Sequence, residues 1–326
     1  MADNLTLNFV KQASVEPRGP VVFSVMRDED YFLPFFFEHY RKLGVDGFLI
    51  YDDRSGAPML EFLNAQADCS IIRSEHRFGD SFTPPGANYD RRLTHVLKES
   101  VPETLLKGRW VLTVDADEFL VLPSDFADLP QLIETLERLG QPYLTAPMVD
   151  FYGETLTARN YPRQLGPFEG NPYFDCGPYY FWQGGYMPTP FAGGVRFKLL
   201  RQLYQRHPDL VDRIYGDWAR EPLFLWKAPL LKHGCGVTRR GDHALSVVPA
   251  NPIEAALAHF KFYPDLDAKI AQALTERQYV AGSVQYELLK ASIDLMGEES
   301  LVTWETCAYD GPASLEAAQL MHGPKA

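Results

Sequence analysis

The chain is poor in the features that announce several common functions. It has only four cysteines, Cys69, Cys176, Cys235 and Cys307. They lie far apart with no C-x-x-C pair, which excludes zinc-ribbon and thioredoxin-like spacings and leaves a reduced protein as the simplest expectation. Positive charge is also scarce: 31 Lys and Arg face 43 Asp and Glu, for a net charge of −12. Such a surface repels nucleic acid and anionic lipid, so a nucleic-acid partner is not expected. Glycine-rich phosphate motifs are missing as well. No G-x-G-x-x-G follows Met26, and no G-x-x-x-x-G-K-[ST], G-x-S-x-G or H-E-x-x-H occurs. The longest stretch without a charged side chain, Cys176 to Val195, holds five glycines and three prolines, too many for a membrane-spanning helix. The opening MADNLTLNFVKQ carries acids and amides where a secretory leader would have a basic start and an apolar run. A cytoplasmic location is therefore expected, and contact with the inner face of a membrane is compatible with it.

What is present is ordinary globular material. The 326 residues are 46% hydrophobic and 23% charged, enough for one large α/β domain with an appendage, or for two domains at roughly 150 residues each. The patterning alternates. Val21–Met26 is a short β-branched run that predicts a buried strand, and Tyr31–Leu43 places Phe32, Phe36, Tyr40 and Leu43 at helical spacing before Gly44. Val45–Tyr51, Cys69–Arg73 and Arg109–Val114 read as further strands, with a short helix around Met59–Leu63 and longer ones over Asn88–Leu106 and Leu129–Leu139. Strands alternating with helices imply crossovers and a mostly parallel sheet with helices on both faces. After about Phe151 the pattern turns irregular, rich in glycine, proline and aromatics up to about Arg196, and helical periodicity returns from Asp267. The division expected is a domain over 1–265 and a small C-terminal helical extension over 266–326.

In open α/β sheets ligands collect beyond the carboxyl ends of the strands. The residues there are Arg27-Asp28-Glu29, Asp52-Asp53-Arg54 and Asp115-Ala116-Asp117-Glu118. The last group is the sharpest feature of the sequence. Three acids within four residues at the end of a buried strand repel one another unless a cation neutralises them, and a hard divalent ion with oxygen ligands would do so. The alternative is a solvated strand end in which one acid caps the next turn.

The first strand with R-D-E, then L-P-F-F-F-E-H-Y-R-K-L-G-V-D-G-F-L-I-Y-D-D-R-S and W-V-L-T-V-D-A-D-E-F-L, resembles the family 2 glycosyltransferases of the GT-A (Rossmann-like) fold. The likeness is to the bacterial branch whose D-x-D motif extends to D-x-D-E-F-L, and it is strongest over Val21 to about Leu122. It implies inverting transfer of a sugar from a UDP- or GDP-linked donor to a saccharide or glycan acceptor, with Mn²⁺ or Mg²⁺ on the diphosphate and a role in bacterial surface polysaccharide synthesis. The nucleotide-sugar half would span about 20–125 and the acceptor half about 145–265. Carried over by position, Asp115 and Asp117 match the acids that hold metal and donor, Glu118 follows them in the substrate site, Asp52 with Asp53 faces the nucleotide, and Arg27 lies where the first strand delivers it.

Arg91, Arg92, His95 and Lys98 form a basic stretch, one member of which, Arg91 being the choice, would neutralise the leaving diphosphate; a solvated helix face is the plainer reading. A histidine far down the chain is often a third metal ligand in such enzymes. His259 is preferred over His243 and His233, with Lys261 adding charge at the diphosphate, and a core histidine is the alternative. Tyr179, Tyr180, Phe181, Trp182, Tyr186 and Phe191 would offer flat faces to an acceptor sugar, Trp182 and Tyr186 foremost. The proton of the acceptor hydroxyl needs a carboxylate, and Asp150, Glu169, Asp175 and Asp217 are candidates, with Asp175 chosen because it adjoins the aromatic stretch. Two other classes fit the acid cluster less well: a metal-dependent nucleotide-sugar phosphohydrolase and a non-catalytic carbohydrate-binding protein on the same scaffold.

Overall fold

A computed structural model describes residues 5–177, 179–182, 189–215 and 225–324. The chain divides into two compact units. One comprises Met1–Ala146, Lys227–Ala255 and Gly323–Ala326, the other Pro147–Trp226 and Ala256–His322. This is a different division from the one drawn at residue 265: helices Leu266–Glu276 and Val280–Met296 lie in the second unit together with helices Gly194–Arg206 and Pro208–Tyr215. The last two also supply regular structure where the sequence reads as irregular.

The first unit is an α/β sheet flanked by helices. Its strands run in the order Asn8–Lys11, Cys69–Arg73, Gly47–Asp52, Val21–Met26, Trp110–Thr113, Trp226–Lys232. The three inner pairings are parallel and the two outer ones antiparallel. Parallel strands covered on both faces need continuous apolar runs, and Gly47–Asp52 and Trp110–Thr113 are buried at every position. Helix Leu33–Lys42 starts with a proline in its first turn and buries Leu33, Phe36, Phe37 and Tyr40. It ends at Gly44, whose φ of 89° is left-handed and whose added Cβ would stand 2.8 Å from Pro130 Cδ. The Tyr40 hydroxyl donates to the Glu118 carbonyl (2.9 Å) and accepts from the Leu120 N–H (3.2 Å), which ties this helix to strand Glu118–Val121. Helix Leu93–Leu105 packs Leu93, Val96, Leu97 and Val101 into a cluster with Phe23, Leu49 and Ile72. Removing a single buried leucine from such a cluster costs about 2–5 kcal/mol.

The second unit is built on buried strand segments of the ten-residue strand Tyr143–Tyr152, which runs parallel to Ala256–Phe260 and antiparallel to Tyr173–Asp175, itself paired with Thr306–Ala308. Its core is aromatic: Phe151 lies 5.7 Å from Phe174, 5.2 Å from Phe260 and 5.1 Å from Tyr309, ring centre to ring centre. A disulfide joins Cys176 to Cys307, while Cys69 and Cys235 are free. The expectation of four reduced thiols is thus corrected at one pair. No described helix is long and apolar enough to cross a membrane.

Candidate functional site

In the first unit the parallel strands end where the sequence places the chemistry, since Val21–Met26 runs in register with Gly47–Asp52 (Met26 opposite Asp52) and with Trp110–Thr113 (Phe23 opposite Thr113). Two loops at that edge are fastened together by Asp28, which accepts from the Gly56 N–H (2.7 Å) and donates its own N–H to Ser55 Oγ (3.1 Å). Asp28 and Arg54 hold left-handed backbone, φ 50° and 63°, a conformation that non-glycine residues keep only where surroundings impose it.

Both acids of the Asp52-Asp53 pair are buried and paired with guanidinium groups. Asp52 Oδ2 accepts from Arg73 Nε at 2.6 Å, and Oδ1 accepts from the Ser55 N–H at 3.2 Å, which caps the following turn. Asp53 accepts from the Phe78 N–H and Arg77 Nε, both at 3.0 Å, with Arg27 Nη1 at 3.6 Å. Burial pushes the Asp53 carboxyl up to about 7, against the Phe78 N–H and the Arg27 charge, which lower it.

The D-x-D-E segment is held by two lysines. Asp115 Oδ1 is 2.8 Å from Lys98 Nζ and Oδ2 is 2.9 Å from Lys227 Nζ. Glu118 places Oε1 2.5 Å from the same Lys227 ammonium and accepts the Asp115 N–H on Oε2 at 3.0 Å. Lys98 also reaches Asp242 at 3.1 Å. Both lysines are about 4% exposed. Burial penalises the Asp115 charge, but the ammonium groups of Lys227 and Lys98 outweigh it and hold its carboxyl well below the usual range. Likewise, burial disfavours the Lys227 charge and Asp115 and Glu118 reverse that, raising it above an ordinary lysine. Counter-charge that the sequence reading assigned to a divalent ion is therefore partly supplied by the chain. Every oxygen of Asp115 and Glu118 is engaged, and Asp117 stands half-buried between them.

The other residues singled out from the sequence are held as follows. Arg91 lies in a two-residue strand, Arg91–Arg92, ahead of the helix, and its guanidinium is doubly bonded to Glu99 at 2.5 Å. His95 Nε2 is 3.7 Å from Asp242, and His233 Nδ1 is 2.9 Å from Glu103. In the second unit His259 Nδ1 is 2.6 Å from Asp150 Oδ1, while Arg196 Nε donates to Asp150 Oδ2 at 2.6 Å. A carboxylate on one ring nitrogen fixes a histidine's tautomer and orientation, as for a ligand or a base, and serves a core histidine equally well. Lys261 follows strand Ala256–Phe260 directly. Glu169 closes a short helical turn by accepting the Gly166 N–H at 2.8 Å. Asp175 is buried beside Lys198, whose Nζ is 2.8 Å from its Oδ1. Tyr186, Asp217 and the Trp182 side chain lie outside the described residues.

Lys227, Asp242 and Lys198 escaped the sequence reading. Lys227 had a visible signal: a lysine inside the apolar run W-K-A-P-L-L needs a buried anion.

No family model matches the chain, and no curated protein matches it. Among solved structures it is similar to the crystal structure of S. aureus TarS, at 12% identity and a TM-score of 0.27. The match takes in 41% of this chain and 22% of that one, an extent that carries no inference about activity.

Proposed function

We propose that this chain is a glycosyltransferase, moving a sugar from a nucleotide-diphosphate donor to a saccharide or glycan acceptor with inversion. The observation that supports this most is the acid segment at the carboxyl end of the parallel strand Trp110–Thr113, with Asp115 clamped by two buried ammonium groups. Such clamping fixes the backbone on either side of Asp117, so that a substrate group meets a preorganised carboxylate rather than a mobile loop. The D-x-D-E-F-L resemblance gives this arrangement its chemical meaning, a diphosphate site.

The oxygen donors suit a hard ion, Mn²⁺ or Mg²⁺. Asp117 is the residue to hold it, because at Asp115 an ion would have to displace Lys98 or Lys227. Bound there, such an ion would neutralise charge on the departing diphosphate. Arg27, close to Asp53 and Asp28, is the residue assigned here to meet the nucleotide. A carboxylate must take the proton of the acceptor hydroxyl, and Asp175 is the candidate.

Calorimetric titration of UDP and GDP, with Mn²⁺ and then with EDTA, tests the reading. One nucleotide is expected to bind in Mn²⁺, and the Asp117→Ala variant to lose at least about tenfold in affinity, as for one charge-assisted contact. Binding that survives both EDTA and Asp117→Ala unchanged removes the ion from the proposal. No binding of either nucleotide removes the diphosphate site.

A further inference from the structure

Residues 238–246 form a loop of the first unit that is closed on itself. The Thr238 N–H donates to Ser246 Oγ at 2.9 Å, the Ser246 N–H to the Thr238 carbonyl at 2.8 Å, and the Arg240 N–H to the Ala244 carbonyl at 2.9 Å. Gly241 turns the tip with a left-handed φ of 69°.

This loop reaches both elements that supply the lysine clamp on Asp115. On one side, Asp242 places Oδ1 3.1 Å from Lys98 Nζ, and the Gly241 N–H donates to Glu99, the next residue of helix Leu93–Leu105. On the other, Arg239 donates from Nη2 to the Ala228 carbonyl at 2.5 Å, directly after Lys227 in strand Trp226–Lys232. A single closed turn therefore fixes the placement of two ammonium groups that come from distant parts of the chain.

Charge explains why the loop is needed. Lys98, Lys227 and Arg239 are each 4% exposed. Burial disfavours the Lys98 charge and the Lys227 ammonium repels it, while Asp115 and then Asp242 outweigh both. Burial also lowers Arg239, whose Nε is buried with no hydrogen-bond partner among the described residues, and Asp242 is the acid that opposes this most. Three buried cations thus face Asp115, Glu118 and Asp242. Without the Asp242 charge the cations would outnumber the acids and push one another away from Asp115.

We infer that Asp242 and Arg239 are positioning residues: by fixing Lys98 and the backbone beside Lys227, they set the clamp on Asp115 and with it the backbone that presents Asp117. Neither is assigned a contact with substrate. The effect on the clamp follows from the contacts themselves, and only its consequence for nucleotide binding rests on the glycosyltransferase reading.

The test is amide hydrogen exchange on the full chain, without nucleotide or metal, for wild type, Asp242→Asn, Asp242→Glu and Arg239→Lys. Asparagine keeps the size of the side chain and removes only its charge. Exchange over residues 114–118 is expected to quicken at least about tenfold in Asp242→Asn and in Arg239→Lys, which keeps the charge but loses the fork, while strand Val21–Met26 is unmoved. Asp242→Glu, which keeps the charge, should stay within about threefold of wild type. A merely structural loss would quicken exchange throughout the first unit, and glutamate would not rescue it. UDP and GDP titrated with Mn²⁺ into the same proteins give the second readout, with Asp242→Asn about tenfold weaker and Asp242→Glu restored. Unchanged exchange over 114–118 in Asp242→Asn overturns the inference whatever the nucleotide does, since lost binding alone would make Asp242 a direct contact. Equal nucleotide binding by wild type and Asp242→Asn despite quicker exchange overturns it too. Quicker exchange in a protein whose wild type binds neither nucleotide leaves the clamp standing and removes the transferase.

Discussion

Asp115 in the first unit and Asp175 in the second are both carboxylates facing a buried lysine, yet they are built for different ends. Asp115 has an ammonium on each oxygen and lends its N–H to Glu118. Asp175 has an ammonium and a phenol on one oxygen and, among the described residues, no hydrogen-bond partner on the other. A fully engaged carboxylate has no free valence for a ligand and serves to hold backbone in place. A half-engaged buried one keeps an oxygen with acceptor capacity left. The number of engaged oxygens, rather than depth of burial or the presence of a lysine, separates the two.

The largest effect that tests this contrast is expected from Lys227→Met. The substitution strips one oxygen of Asp115 and one of Glu118, the latter 1% exposed, of their counter-charge. Breaking a buried pair in this way costs about 3–5 kcal/mol. Lys198→Met bares only one carboxylate, which keeps the Tyr152 hydroxyl, so its loss in denaturant unfolding should be the smaller of the two. If Lys198→Met proves the more damaging, Asp115 is not the more tightly integrated acid and the contrast fails.

A second effect belongs to the Asp175 side. Cys176 follows Asp175 directly, and its disulfide to Cys307 closes a separation of 131 residues, joining the strands that carry Asp175 and Thr306. Loss of such a link typically costs about 2–4 kcal/mol. Reductant should therefore lower the wild-type unfolding midpoint and leave Cys307→Ser unmoved. A wild-type midpoint indifferent to reductant would show that the pairing contributes no stability.

How much of this was legible beforehand follows from sequence distance. Strand Cys69–Arg73 and helix Leu129–Arg138 are found where their patterning places them, because periodicity is a local property. The acid trio was equally visible, lying within four consecutive positions. Its partners were not: Lys227 lies 112 residues from Asp115, and only the fold joins them. Strand Tyr143–Tyr152 was hidden by Pro147 in its middle, since a proline argues against a central strand. The disulfide was unreadable because four separated cysteines allow several pairings. Asp175 was singled out for the company of aromatic residues; its unengaged oxygen is a property of packing that no spacing encodes.

The smallest expected effect separates the engaged carboxylates from their surroundings by pH. Burial pulls the His39 imidazole down to about 4, and its Nε2 contacts the Leu120 carbonyl at 2.9 Å. An unfolded histidine titrates near 6.5, so between about 6.5 and 4 the unfolded chain binds the extra proton and stability falls as pH falls, by at most about 3 kcal/mol. Asp115 behaves otherwise. Its carboxyl lies well below the usual range, so the stability it contributes is intact above about 4 and is lost only as pH drops further. Urea midpoints at pH 7 and pH 4.5 for wild type and His39→Gln tell the two apart, because glutamine retains an N–H for Leu120 without a titrating ring. The variant should lose less between those pH values. Half-buried His95 and buried His233 are also lowered, so the slope that remains reports them. Equal losses in both proteins would mean that His39 does not set the acid limb, and would turn attention to the lysine-held acids as groups that give way earlier than their ion pairs imply.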